Sequence, residues 1–339
     1  MGSCLVTGGA GFIGSHVAEH LANSGVHVIV LDDLSGGYRE NVPPHTEFIE
    51  GSILDDTLIE KIFRDHKIDY VYHLAAYAAE GLSHFIRRFN YRNNLIGTIN
   101  LINAAVKHEC KCFVFTSSIA VYGTNQLPMS EELDPKPEDP YGIAKYAIEL
   151  DLAAAREMFG LNYVILRPHN VFGERQNLSD PYRNVLGIFM RQILSGQPMT
   201  IFGDGAQTRA FSYIDDVAPV IAGCTKNENM LNDVFNVGSS DPTSVKDLAH
   251  IIAEALGLKA DINYLPARNE VQHAYPSHAK LEERLSYRPE WSLEQGVEKM
   301  ADWVKEQTIH PCKVFTDIEI MRNLPQSWAT LIKEQSQGD

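Results

Sequence analysis

Tyr141 and Lys145 stand four residues apart in Asp139-Pro140-Tyr141-Gly142-Ile143-Ala144-Lys145, and a hydroxyl run, Thr116-Ser117-Ser118, precedes them. On a helix, residues i and i+4 share a face, so this spacing sets an ammonium beside a phenol. A nearby cation favours the phenolate and is expected to lower the tyrosine pKa from its usual value of about 10. A phenol tuned in that way can take a proton from an alcohol near neutral pH. Tyr-x-x-x-Lys also arises on solvated helix faces with no chemistry, so the pattern needs a second signal.

Thr7-Gly8-Gly9-Ala10-Gly11-Phe12-Ile13-Gly14 supplies one, because it follows an apolar run and opens a helical pattern. Of the glycines at 8, 11 and 14, one permits a tight turn, one lets the backbone approach a pyrophosphate, and one lets helix and strand pack closely. The helix N-terminus, with Phe12 and Ile13 in its first turn, then offers unpaired N–H groups to a diphosphate. Asp32 ends the next apolar run, eighteen residues beyond Gly14. A carboxylate there accepts hydrogen bonds from the adenosine ribose and repels a 2′-phosphate. It is followed by Asp33 and not by a basic residue, so NAD is expected rather than NADP. Asp33 itself fits a solvated turn.

These groups need a scaffold. Short apolar runs at Ser3–Thr7, Val26–Leu31, Thr46–Glu50, Tyr70–Leu74, Cys112–Thr116 and Tyr163–Arg167 predict strands. Helical patterns lie between them at Ile13–Asn23, Thr57–His66, Tyr91–Lys107 and Pro140–Met158. Continuous apolar strands alternating with helices imply an α/β fold with a doubly wound parallel sheet of Rossmann type. After Pro168 the rhythm changes, with turn clusters at Gln176–Asn184, Gly203–Gln207 and Gly238–Thr243. Residues 1–170 are therefore expected to form a cofactor domain. Residues 171–339 are expected to form mainly a smaller, mixed α/β substrate domain, with Val234–Val237 a strand returning to the main sheet. Helical patterns recur at Val245–Leu256 and Leu293–Glu306, and the amphipathic tail from Thr308 to Ile332, with Trp328, is expected to pack on the body.

Composition narrows the partners. The chain has 339 residues, 29 Lys+Arg against 44 Asp+Glu, and a net charge of −15. So acidic a protein is poorly suited to nucleic acid or an anionic membrane. No apolar run approaches the roughly 20 residues a membrane span needs. The five cysteines show no C-x-x-C pair and no disulfide spacing, so Cys110-Lys111-Cys112 is expected to be a pair of ordinary thiols. No basic segment or cleavage site precedes the first strand, and a cytoplasmic location is expected. No metal site is expected, since His273 and His278 have no ligand spacing with any acid.

Taken in order, the motifs resemble the extended short-chain dehydrogenase/reductase family, and within it the nucleotide-sugar epimerases of the UDP-glucose 4-epimerase type. The resemblance covers roughly residues 3–305. It rests on Thr7–Gly14, Asp32, His73-Leu74-Ala75-Ala76, Asn94-x-x-Gly97-Thr98, Thr116-Ser117-Ser118-x-x-Val121-Tyr122-Gly123, Pro140-Tyr141-x-x-x-Lys145, Arg167–Gly173 and Gly203-Asp204-Gly205-x-Gln207-Thr208-Arg209. It implies that Ser118 and Tyr141 are the catalytic hydroxyls and that Lys145 holds the nicotinamide ribose. It implies that Leu74, Ala75 and Ala76 line the dinucleotide, that Ser52 and Ile53 lie by the adenine, and that Asn94 supports the site. Asn170 and Arg209 would contact a nucleotide-sugar diphosphate, with a UDP-sugar favoured. A homodimer follows by the same analogy, through helices near Asn94–Lys107 and Pro140–Met158.

Departures separate this chain from relatives with other chemistry. Sugar-nucleotide 4,6-dehydratases carry an acidic pair near the catalytic hydroxyl, decarboxylases a glutamate, and 3,5-epimerases a cysteine. Ile119-Ala120 stand there instead, although His169-Asn170 resembles the 3,5-epimerases. Epimerisation at C4 is favoured; a dehydratase, decarboxylase, ketoreductase or non-catalytic dinucleotide-binding regulator remains the alternative. Ser52 replaces a common aspartate, and Ala78 a lysine. Tyr77–Ser83 with Arg87-Arg88 is expected to shape the sugar pocket, with Glu80 accepting from a sugar hydroxyl or serving only as a surface acid. Downstream, Arg268 would meet a phosphate and Glu270 the nucleotide ribose, in a segment one residue shorter than the family's.

Overall fold

A seven-stranded parallel sheet organises the chain. The computed structural model describes residues 2–267, 271–308 and 314–338. Strands β1 (Ser3–Thr7), β2 (His27–Asp32), β3 (Glu47–Glu50), β4 (Ile68–His73), β5 (Cys112–Thr116) and β6 (Tyr163–Pro168) are joined by the strand Asp233–Val237. Their spatial order runs from Asp233–Val237 through β6, β5, β4, β1 and β2 to β3. The order reverses direction between β1 and β4, which creates a crevice at the carboxyl ends of those strands.

The apolar runs are continuous because helices cover both faces of the sheet. Cys4, Val6, Val28 and Val30 belong to one core, with Val17 and Leu21 of helix α1 (Phe12–Asn23). Leu5, Ile29 and Leu31 belong to the opposite core, with Ile59 and Phe63 of helix α2 (Asp56–His66). Successive residues of one strand thus serve opposite layers. The first core continues into the second half of the chain, through Phe189 of the helix Val185–Leu194 and Val217 of the helix Ile214–Gly223.

The helix that carries the Tyr–Lys pair runs from Pro140 to Phe159. Asp139 caps it by accepting from the N–H groups of Tyr141 and Gly142, both at 2.9 Å, and proline fills its first position. Gly160, at φ +79°, ends it. The expected helix Tyr91–Lys107 starts earlier, at Arg87, and passes through a π turn at Arg92–Ile96 before the segment Gly97–Lys107. A third, smaller core joins Ala79, Leu82 and Ile86 to Trp328. Among the described residues no helix is long and apolar enough to cross a membrane.

Candidate active site

The crevice between β1 and β4 is lined by Gly8, Gly11, Phe12, Ile13, Gly14, Asp32, Leu74, Ala75 and Ala76, within a cleft of about 470 Å³. No side chain caps α1, so its first N–H groups remain available to an anion. Two glycines are required by geometry. Gly8 has φ +73°, and a Cβ there would lie 2.7 Å from the backbone nitrogen of Ala75. A Cβ on Gly14 would lie 2.0 Å from the Gly8 carbonyl oxygen. The Asp32 carboxylate accepts from Ala10 N–H at 3.0 Å and Leu34 N–H at 2.8 Å. Burial raises its pKa, and those two backbone donors oppose the shift. Gly51 and Ile53 line the same cleft, whereas Ser52 does not; its hydroxyl accepts from Leu54 N–H. Asn94 lies behind the wall, clamping both the N–H and the carbonyl of Tyr77.

Ser118, Tyr141 and Lys145 line this cleft together with Thr116 and Ser117. The lysine takes a different partner from the one its spacing implies. Lys145 Nζ donates to the Thr116 carbonyl at 2.7 Å and lies 4.7 Å from the Phe115 ring centroid. It stands 5.7 Å from the centroid of the Tyr141 ring. The expected lowering of the Tyr141 pKa is not found in this site. Burial raises it, the hydrogen bond with Ser118 opposes the rise, and the charges of Glu80 and Asp139 add to it. Desolvation outweighs the Ser118 hydrogen bond and the opposing charge of Arg183. The same burial lowers Lys145 to about 7, against the upward pull of Glu149.

Glu149 lies one turn beyond Lys145 on the same helix, outside the motifs that mark the site in the sequence. Its carboxylate accepts both Nε and Nη2 of Arg167 and the hydroxyl of Ser117. Arg167 also donates from Nη1 to the Tyr122 hydroxyl at 2.7 Å, and that hydroxyl donates to Asn236 at 2.9 Å. Continuation of the four-residue spacing, 141–145–149, is the signal that could have found it. His73 is held between the hydroxyls of Thr7 and Thr98, and burial keeps its pKa well below the usual value.

A second cavity of about 740 Å³ shares Asn170, Val171, Tyr182, Arg183 and Asn184 with the first. Arg209 lines it, and its guanidinium is oriented by the carbonyls of Thr208, Val271 and Gln272. Asn170 donates to the Ala210 carbonyl at 2.9 Å. Glu80 lines the first cleft, as does Ala78. Arg87 and Arg88 do not: both are exposed, and the expectation that they shape the pocket is corrected. Tyr182 and Arg183, from the turn cluster Gln176–Asn184, take that place. Arg183 is paired with Asp180 and stacks over the Tyr77 ring. Arg268 and Glu270 lie outside the described residues. Among the described residues no group of three or more His, Cys, Asp or Glu could hold a metal ion.

A dinucleotide cradle and a buried tyrosine–lysine pair in one cleft define a nicotinamide-dependent enzyme acting at an alcohol carbon. The chain belongs to the NAD dependent epimerase/dehydratase family, whose model matches residues 4–238. It is 38% identical to a putative UDP-glucose 4-epimerase of Methanocaldococcus jannaschii, over 89% of this chain and 98% of the relative. It is 32% identical to a UDP-N-acetyl-alpha-D-glucosaminuronate decarboxylase of Bacillus cytotoxicus, again over 89% and 98%. The crystal structure of UDP-glucose 4-epimerase from Thermotoga maritima with UDP-glucose superposes with a TM-score of 0.85, at 37% identity, covering 89% of this chain and 98% of that one. NAD is the cofactor of this family, and the glycine cradle and Asp32 fit it.

Proposed function

We propose that the protein interconverts the C4 epimers of a nucleotide sugar, a UDP-hexose or UDP-hexuronic acid, through a transient 4-keto sugar. The observation that carries this reading is a cleft holding Ser118, Tyr141 and Lys145 that shares a wall with an arginine-bearing cavity. Gly8, Gly11, Gly14 and the α1 terminus would hold the NAD diphosphate, Asp32 the adenosine ribose, and Lys145 the nicotinamide ribose. Bound NAD supplies a hydride acceptor and a ring cation that favours the phenolate. Tyr141 takes the C4 hydroxyl proton and later returns it. Ser118 hydrogen-bonds the same oxygen and holds the phenol in register. Glu80 accepts from a sugar hydroxyl. Arg209, with Asn170 beside it, anchors the diphosphate, for which a guanidinium offers paired donors. A fixed diphosphate lets the sugar turn and present its other face.

Ile119 and Ala120, beside Ser118, offer no acid for expelling water or handling a carboxylate there. Residues 1–170 form the cofactor domain in this reading, and 171–339 mainly the substrate side. Exposed Ile143 and Leu150, seven residues apart on one helix face, and nearby Ile96 support a homodimer built from the two flanking helices. Among the described residues the four cysteines are buried and free, which suits a reducing cytoplasm. The test is a panel of UDP-, GDP-, dTDP- and CDP-sugars with product mass and stereochemistry determined. An isomer of unchanged mass from a UDP-sugar is expected; loss of water or carbon dioxide would overturn the reading.

A further inference from the structure

Beyond the residues matched by the family model, the segment 314–338 packs against the loops that enclose the chamber. Phe315 meets the rings of Tyr77 and Phe89 at centroid distances of 5.5 and 4.8 Å. The Glu319 carboxylate accepts from the N–H groups of Arg88 and Phe89, both at 2.8 Å, and Glu319 N–H donates to the Phe85 carbonyl at 2.9 Å. The helix Gln326–Gly338 then brings Trp328, 6% exposed, edge-on to Tyr182 at 5.2 Å.

Trp328 stands where the two cavities meet. It lines the second cavity, while Gly81, against which its Cη2 packs, lines the first. A Cβ on Gly81 would lie 3.4 Å from that carbon. Tyr182, its ring partner, lines both. An indole at this junction occupies volume that a bulkier sugar would need.

We propose that the segment 314–338 is a fixed wall of the substrate chamber and that Trp328 is its size determinant, limiting the sugar accepted at the junction. This rests on the nucleotide-sugar reading. The ring contacts of residues 314–338 are with Tyr77, Phe85, Phe89 and Tyr182, so NAD is expected to be retained when Trp328 is changed.

The experiment compares the full-length protein with Trp328→Ala and Trp328→Phe. It measures kcat and KM for a UDP-hexose and its 2-acetamido counterpart, with bound NAD quantified in each preparation. Opening the junction is expected to reduce the preference for the smaller sugar by roughly tenfold in Trp328→Ala, mainly through KM. Trp328→Phe, which keeps an aromatic wall, is expected to retain the preference. An unchanged preference in NAD-loaded Trp328→Ala overturns the proposal. If the unsubstituted protein turns over neither sugar, the epimerase reading fails instead. The wall is then judged by calorimetric affinity for the same two UDP-sugars: a preference for the smaller sugar that is lost in Trp328→Ala supports it, and an unchanged preference overturns it.

Discussion

Glu149→Gln removes one charge beneath the active site while nearly preserving shape. The carboxylate carries a bidentate contact to Arg167, which is 3% exposed, and accepts from Ser117. Removing one partner of a buried pair costs about 3–5 kcal/mol, because the other charge stays buried. Glutamine keeps one acceptor, and the Tyr122 hydroxyl still accepts from Arg167, so about 3 kcal/mol is expected. The second effect is on Lys145, whose pKa burial holds near 7 and Glu149 pulls upward. Without that pull the folded-state pKa falls further. Lys145 is charged below its pKa, so activity that needs the ammonium declines as pH rises through it. In Glu149→Gln the decline must therefore come at lower pH. The assay is kcat/KM against pH with NAD content held equal, alongside urea unfolding. Superimposable pH profiles would refute the coupling of Glu149 to Lys145, whatever the stability change.

Other perturbations probe separate parts. Gly14→Ala forces a Cβ against the Gly8 carbonyl and is expected to cost at least about 1–3 kcal/mol and to strip NAD from the purified protein, read by absorbance. Asp32→Ala removes the acceptor of two backbone donors, and NAD affinity is expected to fall roughly tenfold or more by titration. Tyr141→Phe should lose most turnover while keeping nucleotide affinity, measured by single-turnover kinetics and calorimetry. Leu150→Glu places a charge on the exposed apolar helix face and should shift sedimentation from dimer to monomer.

The sheet is legible in the sequence because its strands are buried on both faces. Cys4-Leu5-Val6 has no polar alternation, and each residue serves a core. The glycine cradle is legible for a similar reason: Gly8 and Gly14 admit no side chain. Electrostatics was less so. The spacing puts Lys145 near Tyr141, but only the fold reveals that Nζ goes to the Thr116 carbonyl and that burial dominates the phenol. The helices Val185–Leu194 and Ile214–Gly223 escaped notice, the second with Pro219 inside it. Arg87 and Arg88 are adjacent in sequence to the chamber loop yet point outward, while Tyr182 and Arg183 arrive from a hundred residues away. The tail's amphipathic pattern foretold packing, but not that Trp328 would reach the junction of two cavities.

The most direct test of the central claim uses a UDP-hexose deuterated at C4. The account predicts an epimer of identical mass with deuterium retained at C4, because the hydride removed from that carbon returns to it within the same site. A product that has lost water or carbon dioxide, or an epimer that has exchanged its C4 deuterium for solvent hydrogen, would contradict it.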